Sequence, residues 1–409
     1  MNEPLPEPGA DSGPESTPLL MPGDSFLGPV TDPLIAQQLA ADIAAGSGPV
    51  ALDAERASGY RYSQRAYLVQ LRRQDVGTVL LDPIALGDLE CLSAPLAETE
   101  WVLHAATQDM PCLAEVGLRP RALFDTELAG RLAGLPRVGL GPLVEQMLGL
   151  ALQKGHGAAD WSTRPLPGSW LVYAALDVEV LVELRDAMEK VLDQQGKLDW
   201  ARQEFAAVIS ARAPQPRTDP WRRTSGIQKV RDRRALAVVR ELWLERDGIA
   251  RRRDIAPHRV LPDSAITDAA VHRPESVPAL TGMRVFGGPA QRRLAGNWLA
   301  AIERAVAVPD SELPPLHPVA DGPPPPSRWA AKDPAAHARL TAARSALAEL
   351  SEKVGMPVEN LVSPDAVRRV LWQPPDPSEV RDRLAEGGAR AWQTELTAPI
   401  LASALSAAP

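Results

Sequence analysis

The stretch GPVALDAERASGYRYSQRAYLVQLRR, residues 48–73, reads as two apolar strands separated by a polar turn, with two carboxylates set inside the first. In an extended strand, residues two apart share a face, so Asp53 and Glu55 point at one site. Burying two like charges together costs free energy unless a cation compensates them. Taken alone, a D-x-E is more simply a strand end dipping into solvent.

Working outward, TVLLDP and WVLHAA read as further short strands, the second carrying His104 and leading to Asp109. TDPLIAQQLAADIAAG reads as a helix starting near Asp32 and ending at Gly46, and GPLVEQMLGLAL as another. YAALDVEVLVELRDAMEKVL reads as one helix, with Tyr173 and Asp177 a turn apart on the same face. Four acids and a phenol on separate elements can therefore meet. Hard oxygen ligands of this kind suit Mg²⁺ or Mn²⁺, and two such ions about 4 Å apart can clamp the attacking and leaving oxygens of a phosphodiester.

The order D-x-E, then H-A-x-x-x-D, then Y-x-x-x-D resembles the three motifs of the DEDDy 3′-to-5′ exonucleases, and the surrounding sequence resembles the ribonuclease D family. LFDTELAGRLAG and DWSTRPLPGSWLVYAALDVEVL extend the likeness. The resemblance implies an α/β fold: a ribonuclease H-like exonuclease domain with a mixed sheet, followed by all-α HRDC-type domains. It implies that Asp53, Glu55, Asp109 and Asp177 are metal ligands for two Mg or Mn ions, with Tyr173 orienting and activating the attacking water. Its substrate would be RNA, hydrolysed from a single-stranded 3′ end to nucleoside 5′-monophosphates, with no small-molecule cofactor. Ala54 stands where many relatives carry Thr, pointing away from the metals.

Other residues invite simpler readings. Asp125 in FDTEL is expected to cap a helix N-terminus, and His104 to be a buried, hydrogen-bonded histidine. Lys154 and Arg164 flank the third motif and could hold phosphates, whereas Trp161 reads equally as packing. Tyr67 and Gln70 either face the nucleotide groove or pair across the sheet.

The 409 residues suggest two or three modules, and 41 prolines and 29 glycines suggest separating linkers. The expected organisation is an acidic, Pro-rich disordered tail over 1–28, the exonuclease over 29–211 and a linker over 212–226. An HRDC domain over 227–306, a Pro-rich linker over 307–329 and a second HRDC-like helical domain over 330–405 follow. The HRDC likeness rests on RRALAVVRELWLERDGIARRRDIAPHRVLPDSAI, and the second unit on VGMPVENLVSPDAVRRVLW.

A net charge of −8 argues against a nucleic-acid partner, but its distribution does not. Lys plus Arg against Asp plus Glu is 17 to 29 over 1–218, 17 to 10 over 219–305, and 10 to 13 beyond. Arg222, Arg223, Arg251, Arg252 and Arg253 in the basic module are candidate contacts to the RNA backbone; the simpler reading is a solvated face. Two cysteines without a C-x-x-C pair argue against a disulfide framework and fit a reducing compartment. No signal peptide or membrane-length apolar run is apparent, so a cytoplasmic monomer that engages no membrane is expected. Two readings compete with an exoribonuclease: a DNA exonuclease of the same fold, separable by comparing RNA and DNA strands, and an inactive nucleic-acid-binding scaffold, which would bind without cleaving.

Overall fold

The computed structural model describes residues 17–19, 21–23, 26–152, 155–211, 217–317 and 322–406. Its strands are β1 (Thr17–Leu19), β2 (Leu27–Val30), β3 (Val50–Arg56), β4 (Ala66–Arg73), β5 (Gly77–Leu81), β6 (Glu100–Leu103), β7 (Ala122–Asp125) and β8 (Leu150–Leu152). Six of them form one sheet in the order β2-β5-β4-β3-β6-β7. The meander β3-β4-β5 is antiparallel, while β2, β6 and β7 join in parallel, which makes the sheet mixed.

Both faces are covered, so the strands are apolar nearly throughout. Leu52, Val69, Leu71, Val79 and Leu81 pack into the main core with Ile43 of the Pro33–Ala45 helix and with Leu184 and Met188 of the Leu181–Gln194 helix. On the opposite face Leu68 and Leu80 lie against Ala174 and Ala175 of the Gly168–Glu179 helix. Asp53 and Glu55 belong to that second face.

Several expectations change. The long helix through Tyr173 is two helices, Gly168–Glu179 and Leu181–Gln194, broken at Val180, where ψ is −1°. GPLVEQMLGLAL is helical only over Leu140–Leu148; Gly149, with φ of 69°, ends the helix, and LAL becomes β8. β8 pairs in parallel with β1, so the expected tail is ordered at Thr17–Leu19, and β2 already begins at Leu27. The 212–226 linker ends inside the next core: Trp221, in the Pro220–Arg223 turn, is buried among HRDC-type residues. Trp329, at the end of the Pro-rich stretch, is likewise fully buried and opens the last module.

The two helical modules follow one plan. In the first, Arg233–Arg253 is followed by Pro257–Val260, Asp263–His272, Val277–Gly282, Pro289–Arg293 and Ala295–Ala307. In the second, Pro334–Val354 is followed by Val358–Leu361, Pro364–Trp372, Val380–Glu386 and Ala391–Ser406. Each long helix has 21 residues and each following turn of helix has 4.

Neither module stands apart from the nuclease. The first lays its 254–259 turn on the loop after β3: Ala256 N–H donates to Tyr60 O at 2.9 Å, Ser63 N–H to Asp254 at 2.8 Å, and Arg259 to Gly59 O at 2.8 Å. The second uses the equivalent turn: Lys197 Nζ donates to Gly355 O at 3.4 Å, Asn360 to Arg131 O at 3.3 Å, and Met356 and Leu361 enter the nuclease core.

Candidate active site

β3 delivers Asp53 and Glu55 to the face under the Gly168–Glu179 helix, whose one-turn spacing sets Tyr173 beside Asp177. One Asp53, one Glu55 and one Asp177 oxygen all lie within 4.8 Å of one another. Asp109 arrives from the neighbouring element. β6 stops at Leu103, so His104 lies just beyond the strand; Ala105 turns through φ of 58° and a short helical turn, Ala106–Gln108, carries Asp109 into the same cleft. All five motif residues line this cleft of about 720 Å³.

Asp125 is the brace for that turn. Its carboxylate accepts Glu127 N–H and Leu128 N–H as a helix N-cap, as the sequence predicts, and also Ala105 N–H at 3.1 Å and Ala106 N–H at 2.8 Å. Two of its four backbone donors, Ala105 and Ala106 N–H, tie down the left-handed residue that aims Asp109. His104 Nδ1 meets Thr126 Oγ1 at 2.9 Å, and burial lowers its pKa to about 4, so it is a neutral structural histidine.

The acids repel their own charges. Burial raises Asp53 to about 6, and burial followed by Asp53 raises Asp109 and Asp177 to about 8. Glu55, buried and facing Asp53, Asp177 and Asp109, is pushed up to about 10. Asp53 acts on all three others, the position expected of a shared ligand. Such a set asks for positive charge, and its all-carboxylate donors fit hard divalent ions. Tyr173 hydrogen-bonds Asp177, and burial with Asp177 and Glu55 holds its pKa above the usual tyrosine range. Its ring is steadied edge-on by His156, with centroids 5.7 Å apart.

Other candidates fall away from the chemistry. Every guanidinium nitrogen of Arg164 is engaged: Asp82 is gripped at 2.8 and 2.9 Å, and the carbonyls of Tyr67, Trp161 and Thr163 each accept at 2.8 Å. It clamps the sheet to the loop before the Gly168–Glu179 helix and has no donor left for phosphate. Trp161 is fully buried. Tyr67 and Gln70 are buried and do not line the cleft. Arg222 stacks on Trp221 and donates to Pro315 O, a structural role. Arg251 binds Tyr62 and Asp247 at the seam between modules, while Arg223, Arg252 and Arg253 are exposed. Lys154 lies outside the described residues. The motif reading passed over Arg56, one residue beyond Glu55, which lines the cleft and lies 3.4 Å from Asp109.

Residues 29–193 match the family model of a 3′-5′ exonuclease, residues 235–302 an HRDC domain, and residues 322–405 a 3′ to 5′ exonuclease C-terminal domain. Fold and cleft together define a 3′-to-5′ exonuclease carrying helical accessory modules. The ribonuclease D of Gluconacetobacter diazotrophicus is 34% identical over 285 residues, 68% of this chain and 71% of that protein. The ribonuclease D of Acidiphilium cryptum is 36% identical over 56% of this chain and 59% of its own length. The chain belongs to the ribonuclease D family and is a 3′-to-5′ exoribonuclease. Its fold matches a crystal structure of a protein from Bifidobacterium adolescentis with TM-score 0.89 and 35% identity, covering 96% of this chain and 100% of that one. It also matches Escherichia coli RNase D, an exoribonuclease involved in structured RNA processing, with TM-score 0.65 and 25% identity, over 93% of this chain and 98% of that one. Among the described residues, no helix is long and apolar enough to cross a membrane.

Proposed function

We propose that this enzyme hydrolyses RNA from a single-stranded 3′ end, releasing nucleoside 5′-monophosphates in RNA maturation or decay, with Asp53, Glu55, Asp109 and Asp177 holding two Mg or Mn ions. The observation that carries the reading is the convergence of three carboxylate oxygens within 4.8 Å beside a tyrosine hydroxyl. Bound ions supply Lewis-acid charge to the attacking and leaving oxygens. Asp53, whose charge raises the pKa of the other three acids, would be the ligand placed to serve both ions. Tyr173 keeps its proton and, anchored by Asp177, orients the attacking water through its hydroxyl; proton relay follows the same hydrogen bond. Arg223, Arg252 and Arg253 offer the HRDC-type module's contacts to the RNA backbone. The 330–405 module, with its matching helix plan, is a diverged relative of that module. A monomer in the cytoplasm completes the reading, and two free cysteines, one exposed, suit a reducing compartment.

The test uses one RNA labelled in turn at either end, with Mg²⁺, with Mn²⁺ and with chelator, beside DNA of the same sequence. The reading expects loss of the 3′ label as mononucleotide, a shrinking 5′-labelled ladder, silence with chelator, and slower decay of DNA. Equal rates on DNA would favour a DNA exonuclease, and binding without any cleavage would favour a scaffold.

A further inference from the structure

Arg56 is the unexplained charge in the cleft. Strict strand alternation would turn it away from the face that carries Glu55. The β3–β4 pairing slips beyond Glu55: Glu55 faces Leu68, Arg56 faces Ala66, and the ladder skips Tyr67, so the extra residue of this bulge lies on β4. At the end of β3 the Arg56 side chain nevertheless reaches Asp109, with Nη2 at 3.4 Å from Oδ1, where Arg56 keeps 27% side-chain exposure and Asp109 only 8%.

The contact is loose. Among the described residues Asp109 is the one ion-pair partner of Arg56, and no hydrogen-bond acceptor satisfies its side-chain N–H donors, in contrast to the fully engaged Arg164. The other arginine lining the cleft, Arg137, is turned to Glu145 at 3.5 Å. A single guanidinium therefore touches the acid cluster, and it touches the acid that stands outside the three converging oxygens. An arginine held by one carboxylate, with a forked donor set still open to the cleft, is built to accept a second anion.

We propose that Arg56 is an exchangeable substrate contact: it neutralises Asp109 while the acids are bare, and turns to a non-bridging phosphate oxygen of the last nucleotides of the RNA when divalent ions take over that role. The proposal rests on the exoribonuclease reading and adds a residue to it. The exchange makes two demands of opposite sign, since removing Arg56 relieves competition for Asp109 and at the same time removes a hold on the phosphate.

The test compares the full-length parent with Arg56→Met and Arg56→Lys. Folding is checked by thermal melting, Mn²⁺ binding by calorimetry without RNA, and kinetics on a single-stranded RNA at saturating Mn²⁺. Arg56→Met is expected to bind Mn²⁺ more tightly and to raise KM roughly ten- to hundredfold, the range of a charge-assisted hydrogen bond, with a smaller fall in kcat. Arg56→Lys should recover part of the KM. Neutral methylphosphonate linkages at the last two positions should weaken the parent's use of the RNA and change Arg56→Met far less. A KM equal to the parent's, or equal sensitivity of both proteins to the neutral linkages, overturns the phosphate contact. Weaker Mn²⁺ binding by Arg56→Met overturns the exchange and leaves Arg56 a fixed brace for Asp109. If the parent itself neither cleaves nor binds RNA, the exoribonuclease reading fails, and the parent alone reveals it.

Discussion

Trp392 lies flat on Trp200, ring centroids 4.9 Å apart and planes inclined by 11°, so the last helix of the chain is part of the nuclease core. Trp392 Nε1–H donates to Glu204 at 3.1 Å, and Arg390 grips the same carboxylate at 2.6 Å. Emptying this site leaves a cavity and takes one of the two donors from a buried acid that Arg390 still holds. Trp392→Ala should cost about 3 to 5 kcal/mol of stability, read from chemical denaturation. Truncation after about residue 330 should lower the melting temperature of the nuclease domain rather than release a stable fragment.

Gly134 marks the same junction. Its φ is +77°, and an added Cβ would run into the carbonyl oxygen of Gly355, itself left-handed at +62°. Gly134→Ala should therefore loosen the second module from the nuclease on steric and conformational grounds. Hydrogen exchange at Met356–Leu361 should accelerate while the β3–β4 amides stay protected. Unchanged exchange at both would show that the junction tolerates the methyl group.

The acid cluster makes apo stability depend on pH. Asp109 and Asp177 titrate near 8, raised first by burial and then by the charge of Asp53. A carboxyl whose folded pKa is raised contributes stability that is complete below the unfolded value of about 4 and is lost as pH rises through the folded value. Metal-free protein should accordingly melt at lower temperature as pH climbs from about 5 to about 9. Asp177→Asn should flatten that slope and abolish cleavage, as should Asp53→Asn. Saturating Mg²⁺ should restore the loss at the alkaline end. A parent slope of the opposite sign would contradict the repulsion described for this site.

Much of the site is legible in sequence because charge inside an apolar run is expensive. Asp53 and Glu55 are conspicuous in β3 for that reason, and the i, i+4 pair Tyr173 and Asp177 follows from helix spacing alone. Asp125 is legible as a cap but not as the brace of Ala105, since that second role depends on how β6 and β7 align. Arg164 looks like a phosphate ligand until its partner Asp82, 82 residues away, is seen. The docking of Trp392 on Trp200 carries no local signal: both are ordinary helix-face aromatics, and only the closed path of the chain brings them together. Net charge misleads in part, because the basic module spends Arg233, Arg234 and Arg246 on its own carbonyls.

Tyr173→Phe separates orientation of the water from metal binding. The ring keeps its edge contact with His156, and Asp177 loses only a neutral donor. Single-turnover cleavage should slow by about a hundredfold or more, the usual scale of a lost acid–base partner. The Mn²⁺-induced rise in melting temperature should persist. A near-parental rate would return Tyr173 to a packing role.

The exposed arginines of the first helical module can be tested without dismantling the molecule. Arg223, Arg252 and Arg253 lie on the surface; Arg251, exposed as well, is tied to Tyr62 and Asp247, and Arg222 is half-buried against Trp221. Exchanging the three for Gln in full-length protein should leave the fold and the cleft as they are. If they hold phosphates, affinity for long RNA should drop, and the slope of log K against log salt should flatten by about 0.7 for each single-strand phosphate that is no longer neutralised. Using Asp53→Asn as background prevents cleavage during the titration, and an RNA too short to reach beyond the cleft serves as control. Weaker binding of the long RNA alone would locate the phosphate-holding residues in this module. Equal slopes and affinities on both RNAs would mean that the three arginines are a solvated face.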